Sequence, residues 1–206
     1  MTPKSLVGFE ERLLQADGSN PFRALSSSII YQQISGKAAA SIRAKFIALF
    51  DAPVPTDEGS TWFPTPEMVL DKTPEELRSA GLSGRKAEYI RDLAIKFVDK
   101  TIQPDLLDAM SDEEISKQLC SVKGIGQWTV DMYLMFNMRH PDVLPVTDLG
   151  IRKGLALHFN IPKGTTKRDT LPTPEQMRQV TEIWRPYRTL GCWYMWLLTD
   201  IYTVAD

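Results

Sequence analysis

A short segment with two closely spaced glycines carries the clearest chemical signal in the sequence. Residues 119–130 read LCSVKGIGQWTV, which predicts that one helix ends, turns through Gly124 and Gly126, and restarts at once. Glycine lacks a Cβ, so the turn can adopt positive φ and its backbone can approach a ligand closely. The second helix would present free N–H groups and the positive end of its dipole, which suit a phosphate oxygen. Lys123 adds a cation there, although a plain helix–helix turn with a glycine cap also fits the pattern.

A second helix start and one carboxylate are further candidates. The segment Ser83-Gly84-Arg85-Lys86 predicts a capped helix whose free N–H groups, flanked by two cations, could hold another phosphate. Asp148 stands at the start of a later predicted helix, where aspartate is a favoured N-cap. At that position the carboxylate is either a cap alone or an ionised group, favoured by the helix dipole, that also does chemistry.

Helices are predicted for almost all of the elements that position these residues. Asn20-Pro21 predicts one helix start, and the patterns at 73–76 and 111–114 are capping boxes that predict two more. Other helices are predicted from 127 to about 138, from 148, and over 173–202 with an interruption at Pro186. Inward-facing positions at helical spacing are Ala38, Ala39, Ile42, Phe46 and Leu49, and later Ala87, Ile90, Leu93, Ala94 and Phe97. No window alternates like a strand, so the predicted fold class is all-α.

Composition limits the class of protein. Among 206 residues, Lys and Arg number 24 and Asp and Glu number 26, which gives a net charge of -2. This balance excludes a protein that coats polyanions by bulk charge, and any nucleic-acid site must be local. The cysteines, Cys120 and Cys192, cannot ligate an iron–sulfur cluster or a four-thiolate zinc ion, and they favour a reducing compartment. We expect neither a signal peptide nor a membrane span, because the longest apolar stretch, 191–198, falls short of about 20 residues.

Four segments in the same order resemble a known family. They are PFRALSSSIIYQQISGKAA, GLSGRKAEYI, VKGIGQWT with LPVTDLGIRKG, and WRPYRTLGCWYMW, and together they run from about Pro21 to Thr199. The chain resembles the helix–hairpin–helix DNA glycosylases, and within them the 3-methyladenine (alkylbase) DNA glycosylase II type of the bacterial inducible and fungal branch. The resemblance implies a two-lobed all-α fold with the active site in the cleft between the lobes. One lobe would comprise roughly 1–50 plus 145–206, and the other roughly 65–140, including the hairpin 119–130.

The resemblance also implies roles for individual residues. Asp148 would be the catalytic carboxylate that stabilises an oxocarbenium-like sugar and orients water. Trp128 stands where relatives that also cut the strand have a Schiff-base lysine, which implies hydrolysis without lyase activity. The implied base pocket consists of Trp128, Trp196, Met132 and Leu197, the last two replacing tyrosines of a relative.

Contacts to DNA are implied at three places. A base flipped out of a duplex leaves a gap, and the turn Gln33-Ile34-Ser35 would enter the minor groove to fill it. A helix end with solvated Gln side chains is the alternative for this turn. The other implied DNA contacts are Lys123, Gly124, Gly126, Gln127 and Thr129 in the hairpin, and Gly84, Arg85 and Lys86. The carbonyls of Cys120, Val122 and Ile125 would hold a structural monovalent cation.

These features predict a monofunctional glycosylase that excises 3-methyladenine and 7-methylguanine from duplex DNA and leaves an abasic site in base excision repair. The alternative is a non-catalytic homologue that binds abasic or distorted DNA. The expected partner is double-stranded DNA with alkylated bases; we expect a monomer, no membrane association, no required cofactor and no iron–sulfur cluster. The location would be the nucleus in a eukaryote and the cytoplasm in a bacterium.

Overall fold

All regular structure in the described part of the chain is helical. A computed structural model describes residues 8–11, 13, 20–51, 62–161 and 171–204, without the side chains of 200–204. Within these residues there is no strand, which confirms the predicted all-α class. None of the helices in these ranges is both long enough and apolar enough to cross a membrane.

The chain divides into two compact units. Residues 17–130 form one, here called the hairpin unit, and residues 1–16 with 131–206 form the other, the carboxylate unit. This division differs from the predicted lobes, because 20–50 belongs with the hairpin and 131–140 with the C-terminal segment. The reason is tertiary packing: the helix that follows Asn20 packs against the helix that follows Ser83.

The hairpin unit is built from short helices with local caps. They are α1 (Pro21–Tyr31), α2 (Gly36–Ile47), α3 (Pro66–Asp71), α4 (Pro74–Ser79), α5 (Gly84–Val98), a 3₁₀ turn (Pro104–Ala109), α6 (Asp112–Leu119) and α7 (Gln127–Met132), whose last two residues belong to the carboxylate unit. The Asn20 side chain accepts a hydrogen bond from Arg23 N at 2.9 Å. Both predicted capping boxes are present, at Thr73 and Ser111. Each side-chain oxygen satisfies an N–H that the helix leaves without a partner.

The core of the hairpin unit forms around α5. Ala87, Ile90, Leu93 and Ala94 are buried as predicted, and α1, α3 and α4 pack against this helix. On α2 the prediction is partly wrong: Ala39 and Phe46 are buried, whereas Ala38 is exposed. Ala38 lies in the first turn of α2, where Ser35, Gly36 and Lys37 are also exposed.

The carboxylate unit contains the longer C-terminal helices. A π-helical turn (Tyr133–Asn137) follows α7, and then come α8 (Leu149–His158), α9 (Pro174–Val180), a 3₁₀ turn (Glu182–Trp184) and α10 (Arg188–Val204). The interruption predicted at Pro186 is confirmed, because α10 begins two residues later. The main packing of this unit is α8 against α10. This packing brings residues near 150 next to residues near 196.

An ion pair ties the loop before α8 to the start of α10. The guanidinium of Arg188 donates to both carboxylate oxygens of Asp142, at 2.6 Å from Nε and 2.8 Å from Nη2. Arg185 donates to the same carboxylate at 3.1 Å. Burial acts to raise the pKa of Asp142, but the hydrogen bonds and charge of Arg188 outweigh it and hold this pKa below its ordinary value.

This pair predicts an acid-dependent loss of stability. A carboxyl whose pKa is lowered in the folded state stabilises it fully above the unfolded pKa of about 3.9, and loses that contribution as the pH falls through the folded pKa. We therefore expect Asp142→Asn to lower the free energy of unfolding at pH 6 by about 2 kcal/mol. The difference between variant and wild type should shrink towards pH 3 in urea titrations. A difference that stayed constant over this range would contradict the role of the charge.

Candidate active site and nucleic-acid interface

The Asp148 carboxylate is fixed by two hydrogen bonds to the same oxygen. Asp148 is the N-cap of α8, and its Oδ1 accepts from Ile151 N at 2.8 Å. The same Oδ1 accepts from the indole Nε1 of Trp196 on α10, also at 2.8 Å. The residue is 9% exposed. The cap interpretation is thereby confirmed, and the indole bond adds an orientation that a cap alone does not need.

Close packing around Trp196 makes this arrangement possible. The ring lies over Phe136, with centroids 6.1 Å apart and planes inclined by 22°, and its centroid is 6.3 Å from that of Trp193. A Cβ at Gly150 would lie 2.8 Å from Trp196 Cδ1 and 3.2 Å from Asp148 Oδ1. Only glycine at 150 therefore lets the indole reach the carboxylate.

The remaining predicted pocket residues differ in their settings. Met132 and Leu197 are half-buried in the carboxylate unit. Trp128 belongs to the hairpin unit and is 48% exposed, an unusual setting for so large an apolar ring. Its exposure suits a surface on which another ring can stack, and its role in a base pocket stays a prediction.

The positive φ that glycine permits is present at one of the two glycines of the hairpin turn and not at the other. Gly124 has φ +82°, and a Cβ there would lie 2.1 Å from the Tyr89 ring. Gly126 does not have positive φ, and nothing lies within 4 Å of the place its Cβ would occupy. Val122 and Ile125 are buried and anchor the turn, and Ile125 N donates to Val122 O at 3.1 Å. Gly124 therefore serves the fold, whereas Gly126 leaves room for a ligand to approach the backbone.

Lys123 has partners of its own within the hairpin unit. Its amide donates to Asp92 Oδ2 at 2.8 Å, and its ammonium donates to Glu88 Oε1 at 2.6 Å. The hydrogen bond and charge of Glu88 raise the pKa of Lys123 above its ordinary value. A phosphate would have to compete with Glu88 for this ammonium, and the Lys123 N–H is already bound to a carboxylate.

The two predicted phosphate sites border one cavity. It has a volume of about 250 Å³ and is lined by Pro74, Gly84, Glu88, Arg91, Asp92, Ile95 and Lys123. Glu88 and Asp92 offset its two cations, so the cavity carries no excess positive charge that would draw in a phosphate.

Of the remaining residues predicted to contact DNA, some are exposed and others are buried or hydrogen-bonded within the protein. Arg85 and Gln127 are exposed, and Gln127 Nε2 donates to Ser116 Oγ at 3.2 Å. Thr129 is buried, and its N–H donates to Gly126 O at 2.9 Å, so its contact with DNA stays a prediction. The ammonium of Lys86 donates to Ile30 O and Gln32 O, and desolvation lowers the pKa of Lys86. The expectation that Lys86 presents its charge to a phosphate is therefore corrected: the side chain turns inward, and two backbone carbonyls accept hydrogen bonds from its ammonium.

The turn predicted to enter the minor groove is exposed. Gln33 has φ +58°, a left-handed conformation that is uncommon for a residue with a Cβ. Ile34 is 39% exposed, and the Ser35 hydroxyl caps α2 by accepting from Ala38 N at 3.4 Å. Residues 32–35, here called the wedge turn, thus present a polar and an apolar side chain to solvent.

Comparison with known proteins places this geometry in a family. Residues 26–186 match the profile of the HhH-GPD superfamily of base excision DNA repair proteins, a range that includes the wedge turn, the hairpin and Asp148. The chain belongs to this superfamily. The all-α class predicted from the sequence agrees with this membership.

Relatives of this HhH-GPD protein align with it over most of its length. DNA-3-methyladenine glycosylase 1 of Schizosaccharomyces pombe is 32% identical over 192 residues, which cover 93% of this chain and 78% of that protein. The solved structure of the same yeast's 3-methyladenine DNA glycosylase, in complex with abasic DNA, has a TM-score of 0.67 over 88% of this chain and 82% of that one. A DNA-3-methyladenine glycosidase from Bacillus halodurans is 29% identical, with a TM-score of 0.72 over 98% and 91% of the two chains.

Two residues that support the candidate site of this HhH-GPD protein were not identified from the sequence. Gly150 is one, because only the packing of α8 on α10 shows why a side chain there would displace Trp196. Gln32 is another: its Nε2 donates to the hairpin carbonyl of Gly124 at 2.8 Å, across 92 residues of sequence. The small residue two positions after Asp148 is a signal for the first, and nothing local signals the second.

Proposed function

We propose that the chain is a monofunctional DNA glycosylase that hydrolyses the N-glycosidic bond of alkylated purines in duplex DNA and leaves an abasic site for base excision repair. The first substrate proposed is 3-methyladenine, in keeping with the names of the relatives. The second is 7-methylguanine, which is proposed because it too is a purine that alkylation makes positively charged. The observation that carries the proposal is the Asp148 carboxylate, nearly buried and held by the indole of Trp196.

The chemistry follows from the charge of this carboxylate. When the bond between C1′ and the purine nitrogen breaks, its electron pair leaves with the base and the sugar becomes oxocarbenium-like. An alkylated purine carries positive charge and leaves as a neutral base. The Asp148 carboxylate stabilises the cationic sugar and accepts a proton from the water that attacks C1′. The hydrogen bonds from Ile151 N and Trp196 Nε1 fix the carboxylate before the reaction begins.

The residue after the hairpin determines the expected reaction type. A strand-cutting glycosylase needs an amine that forms a Schiff base with the sugar. This chain has Trp128 at that position, and an indole cannot form such an adduct. Water is therefore the proposed nucleophile, and the product is an intact strand with an abasic site.

Further proposals concern the surroundings of the reaction. Duplex DNA with an alkylated base is the proposed partner, bound by a monomer. The hairpin carbonyls of Cys120, Val122 and Ile125 are the proposed ligands of a structural monovalent cation, with no part in the chemistry. Nucleus or bacterial cytoplasm follows as the proposed location, because that is where the DNA lies.

The function is tested by incubating the protein with methylated duplex DNA and quantifying free 3-methyladenine and 7-methylguanine. We expect both bases to be released and the strand to remain uncut until alkali is added. Borohydride should trap no covalent complex, because the indole of Trp128 stands at the position of the Schiff-base lysine. Release of neither base, with retained binding to abasic duplex, would replace the proposal by a non-catalytic DNA reader. Strong trapping would overturn the hydrolytic mechanism.

A further inference from the structure

A lysine side chain that points inward binds backbone carbonyls at the C-terminal end of α1. The Lys86 ammonium donates to Ile30 O at 2.6 Å and to Gln32 O at 2.7 Å, across more than fifty residues of sequence. Ile30 O is one of the last carbonyls of α1, which have no partner within the helix. A cation is also favoured at the negative end of a helix dipole. Lys86 thus fixes the backbone from which the wedge turn projects.

A second hydrogen bond connects the wedge turn to the hairpin. Gln32 Nε2 donates to Gly124 O at 2.8 Å, at the point where the hairpin backbone has positive φ. Lys86, Gln32 and Gly124 therefore form one chain of contacts that joins the first turn of α5, the wedge turn and the hairpin. All of these residues belong to the hairpin unit.

The wedge turn needs such support. Gln33 has φ +58°, and a non-glycine residue keeps this strained conformation only when its surroundings enforce it. The chain before Gln33 is held at two residues: Gln32 by its carbonyl and its side chain, and Ile30, near the end of α1, by its carbonyl. The exposed Gln33 and Ile34 side chains then emerge from a rigid base.

We propose that Lys86 and Gln32 are positioning residues that hold the wedge turn in register with the hairpin, so that Gln33 can fill the gap left by a flipped base. The proposal rests on the proposed glycosylase function. Neither residue needs to contact DNA. Lys86 acts through backbone carbonyls, which distinguishes it from a lysine that binds a phosphate directly.

The test compares base release from methylated duplex and methylated single-stranded DNA. Gap filling matters only in a duplex, because a single-stranded base needs no replacement in a stack. We expect Lys86→Met to lower release from duplex by about 10- to 100-fold, since a misplaced wedge loses its geometry, and to leave single-strand release unchanged. Lys86→Arg, which keeps two donors and the charge, should restore duplex release. Gln33→Ala provides the benchmark for a missing wedge.

Two controls separate positioning from other roles. Lys45→Met removes an exposed lysine of α2 and should behave like wild type in both assays. The slope of log affinity against log salt separates the two roles of Lys86. Loss of a direct phosphate contact would reduce it by about one, whereas loss of positioning leaves it unchanged. Equal losses on duplex and single strand, or a slope reduced in Lys86→Met, would overturn the proposal.

A second variant allows the test to be made even if the first variant does not fold. A second signal allows it to be made without measuring base release. If thermal melting shows that Lys86→Met is unfolded, Gln32→Met removes only the donor to Gly124 O and should show the same duplex-specific loss. The second signal is 2-aminopurine fluorescence opposite an abasic-site analogue, which rises when a wedge unstacks it. If the wild-type protein raises the fluorescence but releases no base, the glycosylase function is refuted and the positioning role is not. If Lys86→Met or Gln32→Met raises the fluorescence as much as wild type does, the positioning role is refuted and the glycosylase function is not.

Discussion

Asp148→Asn is expected to fold like wild type and to lose nearly all base release. The amide oxygen of asparagine can occupy the place of Oδ1 and still accept from Ile151 N and Trp196 Nε1, both now 2.8 Å from the carboxylate. The cap and the packing should therefore survive. The negative charge does not, and with it go both the stabilisation of the cationic sugar and the base that accepts a proton from water.

The expected loss is large because two effects act through one group. A general base contributes about 10²- to 10⁴-fold, and a preorganised electrostatic contact about 10²- to 10³-fold. We expect single-turnover release of 3-methyladenine to fall by at least about 10³-fold, with little change in the affinity for abasic duplex. Single-turnover kinetics with excess enzyme measures the first quantity, and fluorescence anisotropy measures the second.

Asp142→Asn is the matched control for this variant. Asp142 lies in the same unit and is hydrogen-bonded to an arginine, so its replacement removes a charge whose role is structural. It should melt earlier than wild type and retain base release below its melting temperature. Release within tenfold of wild type in Asp148→Asn would remove this carboxylate from the mechanism.

Gly124→Ala is expected to destabilise the fold strongly. A Cβ at this position would lie 2.1 Å from the Tyr89 ring, and the backbone has φ +82°. Left-handed backbone costs an alanine about 1–2 kcal/mol, and overpacking adds about 1–3 kcal/mol. We therefore expect the free energy of unfolding to fall by about 2–5 kcal/mol in urea titration, a large part of a typical total of about 5–15 kcal/mol.

Gly126→Ala is the contrasting variant from the same turn. Nothing lies within 4 Å of its Cβ position, so its stability should stay close to wild type. If the backbone at 126 approaches a phosphate, the added methyl group should weaken DNA binding all the same. In a Tyr89→Ala background, Gly124→Ala should cost only the backbone term. A full cost in that background would show that the ring is not the obstacle.

Local features of the fold follow from the sequence because their causes lie within a few residues. An N-cap or capping box needs only a side chain and an N–H three residues on, and Asn20, Thr73, Ser111 and Asp148 all cap helices as their neighbours predict. The inward face of α5 is confirmed for the same reason, because helical spacing brings Ala87, Ile90 and Leu93 together. The glycine pair likewise signals a tight turn between α6 and α7.

Tertiary structure alone decides what these local features contact. Lys86 and Lys123 both look like phosphate ligands in sequence, yet one ammonium binds backbone carbonyls at the end of α1 and the other binds Glu88. A lysine side chain is long and flexible, and the nearest unsatisfied acceptor determines where it points, which depends on residues distant in the chain. The placement of 20–50 with the hairpin was missed because it follows from packing on α5.

The carboxylate at the candidate site shows both contributions. The position of the carboxylate and its role as a helix cap follow from Asp148 and its neighbours in sequence. The sequence alone therefore determines that an ionisable group begins α8. The indole bond joins it to Trp196, 48 residues away, and depends on the absence of a Cβ at Gly150. Hydrogen bonds between distant elements require both backbones to be in place, and no local pattern encodes that distance. What a residue can do chemically is therefore determined by the sequence, whereas its partners are determined by the packing of the helices.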